Sequence, residues 1–228
     1  KNPVDILKKI DFLNASIVVS FHGHDAFFPI NGFIPNNGYY NNLFSVASAI
    51  VVNTPYLAKK IKDLGCNNEI LKIIPVGVDT TYFYPVKNSV SNAKLYKLIM
   101  VGRLDPVKGH IFGFKAVKLL INKGYNIHLT LIGEGEERAN LEEYINVNKL
   151  ENNISLLGAK SHYEIRELLW QHQLFVFPSV ALPNGRRETQ GLATIEAQAC
   201  GLPVVAFDSG GIKYTIDIGK SGFICKER

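Results

Sequence analysis

From residue 95 onward, short runs that are apolar almost throughout alternate with segments whose apolar residues recur at helical spacing. The runs are Leu98–Val101, Ile127–Ile132, Ile154–Leu157, Leu174–Phe177 and Val204–Phe207, and Phe112, Ala116, Leu119 and Leu120 between the first two fall at i, i+4, i+7 and i+8. A strand without a polar face must be covered on both sides, and intervening amphipathic helices supply the cover. Residues 95–228 therefore predict a Rossmann-like α/β domain built on a parallel sheet. In such a sheet, ligand groups gather beyond the carboxyl ends of the strands.

The first third alternates less regularly. Val4, Ile6, Leu7 and Ile10 take helical spacing behind Pro3, Ser16–Phe21 reads as a buried strand, and Phe27 to Asn42, rich in Asn, Gly and Pro, as a long loop. Ala49–Asn53 gives a second strand, Thr54-Pro55 opens a helix running to Leu64 with Gly65 as its stop, and Ile70–Ile74 gives a third strand. Lys87 to Lys94 is polar and rich in Ser and Asn, as a linker is. The expected division is an incomplete first lobe over 1–75, a linker over 76–94 and a second lobe over 95–228.

With 228 residues, 46% of them hydrophobic, the chain can bury one large core or two small ones. The net charge of +5 is mild and contains no basic run, which suits anionic ligands or a membrane surface better than a nucleic-acid groove. Cys66, Cys200 and Cys225 are widely spaced and read as reduced thiols without metal-ligand spacing. No apolar run approaches the roughly eighteen residues of a membrane span, and no export leader opens the sequence, so a cytoplasmic setting is expected.

The strand ends carry the candidate chemistry. After Leu174–Phe177 comes an irregular loop, then a helix expected from about Gly191 to Gly201. The N–H groups of Gln190, Gly191 and Leu192 are then the unpaired donors of a helix start, where the helix dipole also favours negative charge, so the turn suits a phosphate. Glu188 precedes this turn, and Glu196 lies one helical turn past Leu192. After Leu98–Val101 stand Gly102, Arg103 and Lys108; a guanidinium can grip phosphate oxygens bidentately and an ammonium adds a point charge. A lone Arg and Lys in a loop ordinarily serve solubility, and a lone loop Glu is ordinarily solvated. Gly133 opens the turn after the next strand, Gly158 the turn after the third, and Asp208 to Ile212 a further turn on the same rim. His22 follows the first buried strand; His24, two residues on, reads as an ordinary surface residue.

Taken together, E-T-Q-G-L-A-T-I-E followed by A-x-A-x-G-L-P-V-V-A, with V-G-R-L-x-x-x-K-G and F-H-G-x-D, resembles the donor-site signature of family-4 glycosyltransferases of the GT-B fold, group 1 type. Pro75 to Pro85 resembles that family's hinge between lobes, and Gly133 to Glu136 its G-x-G-x turn. The resemblance implies retaining transfer of a hexosyl group from a UDP- or GDP-sugar to a glycan or lipid-linked acceptor, with no cofactor and no metal. It implies that Arg103 and Lys108 clamp the diphosphate with the main-chain N–H groups at 190–192, and that Glu188 binds sugar hydroxyls and steadies the oxocarbenium-like state. Glu196 would accept the ribose hydroxyls, Gly158 to Ser161 would flank the base, and His22 would approach the reacting sugar from the opposite lobe. Bacterial surface polysaccharide assembly at the inner membrane face, with peripheral membrane contact, is the implied setting.

Two departures stand out. Thr189 occupies a position where the family commonly has Gly or Ser, and Lys213-Tyr214 stands where Pro-Glu is common. The resemblance covers the later part of the first lobe and much of the second, so a fragment lacking the start of one lobe and the last helices of the other is expected. Other readings remain open: another nucleotide-sugar enzyme of the same fold, such as an epimerase or phosphorylase, or a binding module without catalysis.

Overall fold

Two separate parallel sheets organise the structure, a computed structural model that describes residues 16–27, 38–86 and 95–227. The helix expected at Pro3–Ile10 and the polar stretch Lys87 to Lys94 lie outside the described residues. The smaller sheet has the order β1-β2-β3, from Val18–Phe21, Ala49–Val52 and Leu71–Ile73. Two short helices, α1 (His24–Phe27) and α2 (Asn41–Val46), stand at either end of the segment expected to be a loop. The Asn-rich start of α2 conceals it in the sequence, yet Leu43 and Phe44 are buried against Phe21, which holds the turn in place. Helix α3 (Pro55–Asp63) begins as expected: the Thr54 hydroxyl accepts the N–H of Leu57 at 3.3 Å, and Pro55 occupies the first turn. Gly65, at φ 101°, follows its end.

The larger sheet comprises β4 (Tyr96–Val101), β5 (Ile127–Ile132), β6 (Ile154–Leu156), β7 (Leu174–Phe177), β8 (Val204–Phe207) and β9 (Gly222–Cys225). Its order is β6-β5-β4-β7-β8-β9, parallel throughout. Helices α4 (His110–Asn122), α5 (Arg138–Val147), α6 (His162–Trp170) and α7 (Leu192–Ala199) connect the strands. One apolar cluster gathers around Leu98, Met100, Phe114 and Leu129, a second around Ile99, Phe175, Ala197 and Val204. Neighbours along β4 thus fall into different clusters, as the alternation of a strand covered on both faces requires.

The strand order reverses direction between β4 and β7. A doubly wound sheet places its ligand crevice at such a switch point. The loop after β4 carries Arg103 and Lys108, and the loop after β7 carries Glu188.

Candidate active site

The turn after β4 is built to meet the loop after β7. Asp105 accepts the N–H of Val107 at 2.9 Å and starts one 3-10 turn, Pro106–Lys108. Gly109 ends that turn at φ 60°, and a Cβ there would lie 2.1 Å from the carbonyl oxygen of Pro178. Only glycine permits both this backbone conformation and this approach. The two segments are also tied by hydrogen bonds to the Val107 carbonyl, from the Ser179 hydroxyl at 2.6 Å and the Val180 N–H at 2.9 Å. Lys108 consequently lies with its ammonium 5.1 Å from the centre of the Phe177 ring and 2.5 Å from Oε2 of Glu188.

Glu188 is largely enclosed. Burial alone would raise its carboxyl, but the Lys108 ammonium and the N–H groups of Thr189 and Gln190 outweigh burial and hold it below the usual carboxylate range. His22, Arg103, Lys108 and Glu188 all line one cleft of about 150 Å³, so the two residues expected at the reacting sugar and the two expected at the diphosphate meet in space. His22 enters from the smaller sheet, just past β1, with its main-chain carbonyl accepting the Thr189 hydroxyl at 2.8 Å.

Two further cations line this cleft, Arg186 and Arg187. Arg186 is paired with Asp105, and Arg187 with Glu227 at 3.2 Å. Sequence reasoning passed over both, although two arginines directly before Glu188 were a visible signal.

The residues expected to bind the rest of a donor lie beside the cleft rather than in it. Gly102, Gly133 and Gly158 follow β4, β5 and β6 as a contiguous row: the Gly102 N–H donates to Ile132 O at 3.0 Å, and the Gly133 N–H to Gly158 O at 2.9 Å. A Cβ on Gly133 would lie 1.9 Å from Gly102 O, so the row can close up only at glycine. Glu196, on α7, is half-buried; burial raises its carboxyl, with His162 opposing the shift. It is not among the residues lining the cleft around Glu188.

Helix α7 starts at Leu192, with Gly191 in the left-handed region at φ 78° and no side chain capping it. Gln190 stands between Glu188 and this helix, and its N–H helps to hold the Glu188 carboxyl below the usual range. Its side chain ties this turn to the segment that follows β3: the Gln190 amide donates to Val76 O at 2.6 Å and accepts the Val76 N–H at 3.2 Å. The turn at Asp208 to Ile212 does meet the same loop, with the Gly211 N–H donating to Glu188 O at 2.9 Å.

The fold and this switch-point cleft define a two-lobed α/β protein of the GT-B class. The chain belongs to the family described as glycosyl transferases group 1, which matches residues 86–228. It is 27% identical over 223 residues to a protein of Escherichia coli (strain K12) provisionally named colanic acid biosynthesis glycosyltransferase WcaL, covering 97% of this chain and 54% of that protein. It is likewise 27% identical over 221 residues to the amylovoran biosynthesis glycosyltransferase AmsK of Erwinia amylovora, covering 97% and 54%. The chain thus spans about half the length of these curated relatives. Among solved structures, a glycosyltransferase from Rickettsia africae superposes with a TM-score of 0.80 at 22% identity, over 100% of this chain and 61% of that one. Anabaena HepE in complex with UDP and glucose superposes with a TM-score of 0.76 at 24% identity, over 92% and 58%.

Proposed function

We propose that this chain forms the nucleotide-sugar site of a retaining glycosyltransferase that moves a hexosyl group from a UDP- or GDP-sugar to an acceptor hydroxyl in polysaccharide assembly. The observation that carries the reading is the meeting of His22, Arg103, Lys108 and Glu188 in one cleft at the switch point of a doubly wound sheet. The relatives named for colanic acid and amylovoran biosynthesis, and the UDP bound to Anabaena HepE, support the substrate class.

When the bond at the anomeric carbon breaks, its electron pair passes to the diphosphate oxygen, so negative charge grows there. Arg103, Lys108 and the N–H groups at the start of α7 are the chain's own means of stabilising it, without a metal. Each such donor, aimed beforehand, contributes about 3 kcal/mol to the transition state. Glu188 holds the hydroxyls of the transferred sugar, and its carboxylate faces the positive charge developing on the ring. The acceptor oxygen forms the new bond on the same face, and its proton passes to the departing phosphate. Glu196 and the Gly158 turn bind ribose and base. A glycan or lipid-linked acceptor, met at the inner membrane face, fits the mild positive charge; among the described residues no helix is long and apolar enough to cross a membrane.

The test is a panel of UDP- and GDP-sugars with the complete protein, in the presence and absence of EDTA, followed by NMR of the product. Release of nucleoside diphosphate, retained anomeric configuration and indifference to EDTA are expected. Undiminished UDP binding by an Arg103→Ala, Lys108→Ala double variant would overturn the assignment of the cleft.

A further inference from the structure

We infer that Thr189 is a positioning residue that makes the placement of the Glu188 carboxylate depend on closure of the two sheets upon each other; this rests on the reading of the cleft as a sugar-transfer site. Thr189 is 8% exposed and is bonded in three directions. Its hydroxyl donates to His22 O at 2.8 Å, in the loop after β1. Its carbonyl accepts the Thr54 hydroxyl at 2.8 Å, at the start of α3. Its N–H donates to Oε1 of Glu188 at 3.2 Å.

The smaller sheet thus grips the residue that directly follows Glu188 at two points, and that residue's amide in turn touches the carboxylate. Steric fit reinforces the grip. A Cβ on Gly23 would lie 2.3 Å from the Thr189 methyl, and one on Gly211 would lie 1.8 Å from the Thr189 carbonyl oxygen. Thr189 is therefore wedged between a glycine of each half. Were the sheets to part, the bonds to His22 and Thr54 would break together, leaving the Glu188 main chain held from the larger sheet by Gly211 N–H to Glu188 O. Groups that must face a reacting centre accelerate the reaction only when their geometry is set beforehand, and closure of two lobes is a common means of setting it. Thr189 couples that closure to the carboxylate, whereas diphosphate contacts from Arg103 and Lys108 arise within the larger sheet's own loops and do not need it.

The test uses the complete protein, UDP as the binding probe, and whichever nucleotide sugar is turned over in the donor panel. Thr189→Val keeps the shape and loses the hydroxyl; Thr189→Ala loses both and avoids any clash if the valine variant does not fold; Thr189→Ser keeps the hydroxyl. The removal of one such hydrogen bond is expected to lower kcat about tenfold in the Val or Ala variant. UDP affinity should not fall more than about twofold below that of the unsubstituted protein, and Thr189→Ser should recover most of the lost kcat. Unchanged kcat in both hydroxyl-free variants, a serine variant as impaired as they are, or a parallel loss of UDP affinity would overturn the inference. Failure of the unsubstituted protein to bind UDP or turn over any donor would instead strike the transferase reading.

Discussion

Lys108 and Glu188 face each other at 2.5 Å, with side chains only 17% and 14% exposed. Each therefore occupies the other's charge in the very cleft where the proposed donor would need them separately. A diphosphate arriving at Lys108 competes with Glu188, and the carboxylate it displaces becomes available to the sugar. Removing one partner of such a pair leaves the other enclosed without a counter-charge, a destabilising arrangement that an anionic ligand relieves.

Glu188→Gln is accordingly expected to act in opposite directions on binding and transfer. UDP should bind several-fold more tightly, because its competitor for Lys108 has been neutralised, while transfer falls by about a hundredfold or more. Calorimetric titration with UDP beside a turnover assay checks both. Weaker UDP binding in this variant would argue against the competition.

Arg103 is exposed and forms no ion pair among the described residues, so its guanidinium is free to meet a ligand. Arg103→Ala should weaken UDP binding by about tenfold or more, with little change in thermal stability, and Arg103→Lys should recover only part of the affinity because it cannot grip bidentately. Calorimetry and a melting curve on the same sample distinguish this from a folding defect.

His110 sits behind the clamp, its Nε2 3.0 Å from Arg103 O, with Nδ1 buried and unpartnered among the described residues. Burial pushes the imidazole down to about 4, assisted by the Lys108 charge and opposed by the Arg103 carbonyl and Asp105. Between the ordinary histidine value near 6.5 and about 4, the unfolded chain binds the proton and the folded one does not. Stability should therefore fall as pH drops through this window, by roughly 3 kcal/mol from this group. Denaturant unfolding of His110→Gln across the same window should show a shallower decline than the parent; identical slopes would contradict the assignment.

Gly109→Ala tests the join between the loops after β4 and β7. Both the φ of 60° and the 2.1 Å approach to Pro178 O oppose a side chain there. A loss of about 2 kcal/mol or more in unfolding free energy is expected, with a drop in UDP affinity as Lys108 is displaced. Wild-type stability would show that the segments can part without cost.

Much of the larger sheet was legible in the residues, since strands covered on both faces leave apolar runs with sharp ends: Ile127–Ile132, Leu174–Phe177 and Val204–Phe207 have the boundaries expected. β9 was missed because Gly222–Cys225 is a short edge strand with Phe223 63% exposed, so it carries no continuous apolar signal. Helix α2 was missed because its opening asparagines read as loop, while the burial of Leu43 and Phe44 that stabilises it is a tertiary event. Arg186 and Arg187 were passed over because only the folding of their loop brings them to the cleft.

Local periodicity and turn chemistry were enough, in the sequence alone, to specify the alternating elements, the parallel sheet and the candidate residues beyond its strand ends, because these depend on neighbours a few positions apart. Only the tertiary structure decided that Lys108 meets Glu188, 80 residues away, and that the Thr189 hydroxyl reaches the His22 carbonyl across 167. Such pairs are set by strand order and by the close approach of glycines on different loops, and neither leaves a periodic trace in the chain.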